Sequence, residues 1–409
     1  MSDSFPLHDL MSSVERRKSR LAELLSRLVR IRSYSGEERE IVEFILGVMK
    51  ESGFDECFHD RMGNAVGRMG NGPVKILYDA HIDTVQVTDE DLWKHPPLDG
   101  VVENGVVYGR GAVDEKAAMA GYLVAAAELR KHVRGDFPFT LHVVGSVMEE
   151  DCDGAPLLHL IEKEGIRPDF VVLGEPTDLT VCRGQRGRME IEIVTHGRSA
   201  HGAHNQRGIS AVNKMIPILS GVERLDKELP PVAPLGKGSI TTSEIVSRAP
   251  SLCSVPDWCR IHLDRRLTVG ETRESVLAEL KQIAHDSGIE AEVVIPEYRG
   301  TAWTGLDVRQ EAYFPTWLIE EDHPLVKAGL RAAMDALDRP AGLGFWSFST
   351  NGVATAGRLG IPTIGFAPGR EELAHSRDEE IRVDDLVKAA QFYALFPFRL
   401  VETIATTER

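Results

Sequence analysis

The stretch Val74-Lys-Ile-Leu-Tyr78-Asp79-Ala-His81-Ile-Asp83-Thr-Val85 decides the fold class. Its first five residues read as a strand, and the chain then leaves that strand through a histidine and two aspartates. The pattern recurs. Phe139-Thr-Leu-His-Val-Val-Gly145 runs into Met148-Glu149-Glu150-Asp151, and Phe170-Val-Val-Leu173 runs into Gly-Glu175-Pro. An Ala-rich helix, Glu115 to His132, lies between the first two runs. Strands alternating with helices predict a three-layer α/β domain with a mostly parallel sheet.

Reading outward, Leu10 to Val29 has the three-and-four spacing of a helix. Ser35-Gly-Glu-Glu38 reads as a capping box before a second helix, Arg39 to Glu51. From about Gly187 the texture changes. Met189 to Thr195, Trp258 to Leu263 and Glu290 to Ile295 read as strands, with helices at Ala211 to Leu225 and Glu271 to Ser287. Residues 187–298 are therefore expected to form an inserted α+β domain, and 1–186 with 299–409 a discontinuous catalytic domain. Helices at Pro324 to Leu337 and Val383 to Phe396 flank a buried strand, Ile361 to Phe366.

Bulk composition sets limits. The chain has 409 residues, 42% of them hydrophobic, enough for a sizeable core. A formal charge of −16 argues against nucleic-acid or membrane-surface binding, although a local pocket can oppose the global sign. The polar Met1 to Asp9 carries no secretory apolar run, and no segment approaches the ~20 apolar residues of a membrane span. The five scattered cysteines (Cys57, Cys152, Cys182, Cys253 and Cys259) read as reduced thiols of a cytoplasmic protein. The spacing of Cys253 and Cys259 is too loose for a closed metal site.

The chemistry-bearing residues fall at sheet exits, where ligands gather in open α/β folds. His81 and Asp83 are two apart and share a face in extended backbone. The imidazole can bind a metal and the carboxylate can support it, or both are ordinary loop residues. Asp114, in Gly109-Arg-Gly-Ala-Val-Asp114, is either the N-cap of the Ala-rich helix or a carboxylate with two oxygens free to bridge cations. Glu149 and Glu150 are either a solvated acidic turn or a pair whose repulsion a cation relieves. Glu175 follows the next strand, and His375 precedes the last helix. Together this nitrogen and oxygen set suits zinc, or cobalt and manganese, and two cations about 3.5–4 Å apart serve hydrolytic chemistry.

The ordered motifs resemble the acetylornithine deacetylase/succinyl-diaminopimelate desuccinylase family, which includes aminoacylases and carboxypeptidases. The resemblance runs from about residue 15 to 400 and is nearest to the selenium-metabolism-linked hydrolase branch. It implies a zinc-peptidase-like catalytic domain with an inserted lid and dimerisation domain. By that resemblance two Zn2+ (or Co2+ or Mn2+) are held by His81, Asp114, Glu150, Glu175 and His375. Asp83 orients His81, Asp114 bridges, and Glu149 is the general base. Ser199-Ala-His201 matches the lid motif whose histidine reaches a neighbouring active site across a homodimer.

Arg265 and Arg266, after the strand Trp258 to Leu263, are candidates to hold a substrate carboxylate, and Asn351 is counted with the substrate contacts. Two segments depart from the family pattern. Glu115-Lys-Ala-Ala118 replaces a small or apolar residue followed by Lys-Gly-Gly, which is expected to reshape the cleft. Phe345-Trp-Ser-Phe348 is either core or the wall of a pocket. The expected reaction is hydrolysis of an amide on a small carboxylate-bearing substrate, with an N-acyl amino acid deacylase and a dipeptidase or carboxypeptidase both open. A metal-free binding protein would need no general base. No Gly-x-Ser-x-Gly elbow and no Walker lysine pattern support a serine hydrolase or a nucleotide enzyme.

Overall fold

A computed structural model describes residues 7–133 and 135–407. Part of the polar stretch Met1 to Asp9 lies outside these. The predicted strands build one nine-stranded mixed sheet. Val74–His81 is central, with Phe139–Ser146 and Phe170–Leu173 parallel to it on either side. Thr363–Gly365 continues the parallel set, and antiparallel Ala65–Met69 and Glu56–His59 close one edge.

Side-chain alternation sends each strand into two cores. Ile76, Tyr78 and Ala80 join the cluster under the helices Lys18–Arg30, Lys116–His132 and Val383–Thr407. Leu77, Val144, Val171 and Leu173 face the other way, against Leu157, Leu160, Trp317 and Trp346. The sheet is thus covered on both faces, as the apolar runs required. The five-element exit set lies at one end of it.

The second sheet has five strands and its own core. Gly187–His196 pairs with Trp258–Leu267 and Ala291–Val294, and Ser239–Arg248 forms an edge. Helices Ala211–Glu228 and Arg273–Asp286 cover one face through Met215, Ile218, Val276 and Leu280. Tyr313–Phe314 also pairs with this sheet, beyond residue 298. Strand alternation along Trp258–Leu267 buries Cys259, Ile261, Leu263, Arg265 and Leu267 and leaves the intervening residues partly open.

Two local expectations are corrected. Leu10 to Val29 is not one helix: it breaks at Arg16 and Arg17 into Leu7–Glu15 and Lys18–Arg30. The helix Arg39–Glu51 forms where predicted, but it has no capping box. Ser35 Oγ donates instead to Asp83 Oδ2, and Glu38 Oε1 accepts the Met148 amide. Tertiary partners at the site outbid the local cap. All five cysteines are free, and no helix among the described residues is long and apolar enough to cross a membrane.

Candidate metal centre

The strand Val74–His81 delivers His81, which is buried. Its Nδ1 lies 3.0 Å from the Asp83 backbone oxygen and 3.7 Å from the Asp83 carboxylate. Its Nε2 lies 3.0 Å from Asp114 Oδ1. Asp83 therefore supports the site mainly in another way: its carboxylate accepts the amides of Glu149 and Glu150 at 3.2 Å each. The turn carrying those glutamates is fixed by the residue that also faces His81.

Asp114 caps nothing. The helix starts at Lys116, its N-cap position is Glu115, and no side chain caps it. The Asp114 carboxylate instead divides its oxygens, Oδ1 toward His81 and Oδ2 3.1 Å from His375 Nε2. His375 Nε2 also lies 3.0 Å from Glu150 Oε2. Glu379, fully buried, holds the preceding loop by accepting the amides of Gly111, Val113 and Asp114 and an ion pair from Arg110. Gly111 in that loop has φ +85°, and an added Cβ would meet Thr84 Cγ2 at 2.9 Å. Sequence reasoning assigned Glu379 no role, because its partners are more than 260 positions away.

Two ligand groups result, with ligand atoms within 4.8 Å of one another: His81, Asp114 and Glu150, and His81, Glu149 and Glu175. His375 adjoins the first through Asp114 and Glu150. The electrostatics fit cations. Burial holds the Glu149 and Glu175 carboxyls well above their usual range, with repulsion from Asp153 and Glu150 on the one and from Glu115 and Glu149 on the other. His375 is pulled up to about 10 by its hydrogen bonds to Asp114 and Glu150. Against burial, hydrogen bonds from His375 and His81 hold Asp114 well below the usual carboxylate range. Glu149 Oε1 is buried without a hydrogen-bond partner. Crowded carboxylates that draw protons onto both histidines, with an orphaned oxygen among them, form a divalent-cation site.

Glu115 adds a further buried carboxylate. Its Oε1 accepts the His81 amide, and its Oε2 has no partner. Lys116 turns inward, donating to the carbonyls of Leu28 and Ile31. None of Glu115, Lys116, Ala117 and Ala118 lines the cavity, so this departure lies behind the ligands and not in the cleft wall.

The cavity over the site measures about 370 Å³. His81, Asp114, Glu149, Glu150, Glu175 and His375 form its floor, and Phe348, Glu371 and Arg266 stand on its walls. The aromatic segment divides: Phe348 is wall, whereas Trp346 is core and donates to the Pro176 carbonyl. Arg265 is corrected. It lies on the opposite face of its strand from Arg266, fully buried and paired with Glu271 and Glu279 beneath the lid helices. Asn351 is corrected too. Buried away from the cavity, it donates to Asp79 and Ser146 and accepts the Gly154 amide, bracing the sheet end. His201 is exposed on the lid and does not line the cavity of its own chain. The cavity also includes Arg188, which sequence reading passed over.

Residues 77–398 match Peptidase family M20/M25/M40. This chain belongs to that family. The uncharacterized protein YgeY of Escherichia coli (strain K12) is 41% identical over 98% of this chain and 100% of its own length. N-formyl-4-amino-5-aminomethyl-2-methylpyrimidine deformylase of Bacillus subtilis (strain 168) is 26% identical, covering 93% and 95%. The aminopeptidase PepT from Bacillus cereus shares the fold, with a TM-score of 0.72, 20% identity and coverage of 94% and 99%. The chain is thus a metal-binding hydrolase of the M20/M25/M40 family, with two clustered ligand groups of the kind a dinuclear centre requires.

Proposed function

We propose that this chain is a cytoplasmic di-zinc amidohydrolase that removes the acyl group from a small N-acyl amino acid. The carrying observation is Asp114, one oxygen toward His81 and the other toward His375, beside the unpartnered buried carboxylate oxygen of Glu149. His81, Asp114 and Glu175 would hold one cation, and Asp114, Glu150 and His375 the other, with Co2+ or Mn2+ as possible substitutes. When bound, such cations supply Lewis acidity and lower the pKa of water.

The chain's own residues do the rest. Glu149 takes the proton of the attacking water and passes it to the leaving nitrogen, since one carboxyl can serve as base and then acid. Asp83 keeps Glu149 in place through its amide. Arg266 holds the substrate carboxylate from the lid. His201, exposed and not lining its own cavity, would stabilise the oxyanion in the neighbouring subunit of a homodimer formed through residues 187–298. The exposed apolar side chains Ile216, Ile245 and Leu252 of the lid support such an interface. Placement in the selenium-metabolism-linked branch rests on sequence motifs alone.

A dipeptidase or carboxypeptidase reading is favoured by one feature, the cavity-wall carboxylates Asp153 and Glu371, which suit a substrate ammonium. The two readings separate on substrate. Metal analysis of the purified chain, followed by a screen of N-acetyl, N-succinyl and N-carbamoyl amino acids and dipeptides, should give two cations per chain and turnover of N-acyl amino acids without a free α-amine. Turnover confined to dipeptides would replace the deacylase reading. Loss of neither metal nor activity on chelation would overturn both.

A further inference from the structure

Arg188 and Arg266 face each other directly across antiparallel strands of the lid sheet. Both line the metal-site cavity, and among its described lining residues they are the only permanent cations. Like charges directly opposite weaken a strand pair unless something anionic lies between or upon them. The protein supplies Arg266 with one close carboxylate and Arg188 with two, of which Asp153 is the nearer. Asp264 engages Arg266 through Nε at 2.9 Å and Nη2 at 3.0 Å, leaving Nη1 unengaged by it. Asp153 takes only Arg188 Nη2, at 3.3 Å, and Glu190 stands 3.7 Å from Nη1. Arg188 Nε is buried with no hydrogen-bond partner. The Phe314 ring lies 4.4 Å beneath the Arg188 guanidinium and holds its plane.

We propose that Arg188 and Arg266 form a two-guanidinium receptor for a dicarboxylate, so that the preferred substrate carries a second carboxylate besides the one assigned to Arg266. This rests on the proposed reading of the cavity as the substrate site. A monocarboxylate is satisfied by one guanidinium fork. A second arginine, cross-strand from the first and with its Nε unpartnered, matches a second anionic group on the same ligand. Glu371, the wall carboxylate that pairs with neither arginine, repels such a group elsewhere in the cavity and leaves the arginine pair as its seat. Arg188 also ties the lid strand to the loop after Glu150 through Asp153, so a purely mechanical latch is the competing role.

The test compares N-acetylglutamate with N-acetylglutamine, which differ by one carboxylate, on the metal-loaded protein. The wild type should favour N-acetylglutamate in kcat/KM by roughly 10- to 100-fold, the range of one charged hydrogen-bonded contact. Arg188→Gln should collapse that ratio to near one, whereas Asp153→Asn, which breaks the latch and keeps the guanidinium, should preserve it. A wild-type ratio near one overturns the proposal. So does an Arg188→Gln variant that slows both substrates equally. Calorimetric titration with glutarate and with its monoamide reads the receptor without catalysis. If neither amide is cleaved but glutarate binds at least 10-fold more tightly, the deacylase reading fails and the receptor stands.

Discussion

His375 meets the one oxygen of Asp114 that His81 leaves free: Nε2 to Oδ2 is 3.1 Å, while His81 Nε2 stands 3.0 Å from Oδ1. A helix cap would have spent that carboxylate on backbone amides. Here the helix start goes uncapped by side chains and both oxygens point into the site. Asp114→Asn keeps the shape but replaces one oxygen by a donor. After desalting, the variant should retain at most one cation per chain by elemental analysis. Retention of two would show that Asp114 does not bridge.

Glu115 accepts the His81 amide from behind the site without lining the cavity. Glu115→Gln should weaken metal affinity about 10- to 100-fold in a chelator competition, the usual effect of removing an outer partner of a ligand. The same change relieves repulsion with Glu175, so the metal-free variant should melt higher than the metal-free wild type. Unchanged affinity would make Glu115 a packing residue only.

Adjacent arginines should part company. Arg265→Met removes a fully buried guanidinium from Glu271 and should cost about 3 kcal/mol in urea unfolding, as breaking a buried pair does. Arg266→Met should change stability by less than about 1 kcal/mol, because its pair with Asp264 is partly exposed. Its effect belongs in KM. Comparable stability losses in both would contradict the two-faced strand.

Acid sensitivity has a source outside the site. Burial, together with Arg68 and Lys75, lowers His142 from 6.5 to about 4. Between those values the unfolded chain binds more protons than the folded one, so this contribution to stability is lost as pH falls from 6.5 toward 4. In metal-free protein, the drop in urea midpoint from pH 7 to pH 4.5 should be smaller for His142→Gln than for wild type. Equal drops would show that His142 does not contribute.

Much of this was legible along the chain, for identifiable reasons. Val74 to Tyr78 and Phe170 to Leu173 are apolar enough to be strands under any packing; the first runs on to end at His81, and the second ends two residues before Glu175. Glu149 and Glu150 stand out because adjacent acids at a strand end need a cation. Arg265 was misread by stopping the alternation at Leu263: two steps further, Arg265 falls in phase with Cys259 and Ile261, and Arg266 out of it. Glu379 and Arg188 left no local signal, since both act on residues remote in sequence. Ser35 and Glu38 gave a false one, because Asp83 and the Met148 amide compete for the groups a cap would use.

In the proposed reaction Glu149 moves the proton at a centre held by other residues. Glu149→Gln tests it most directly, with metal content and turnover measured on the same preparation. The variant should keep about two cations per chain and lose roughly 100-fold or more in kcat. Full activity, or loss of the metals along with it, would contradict that assignment.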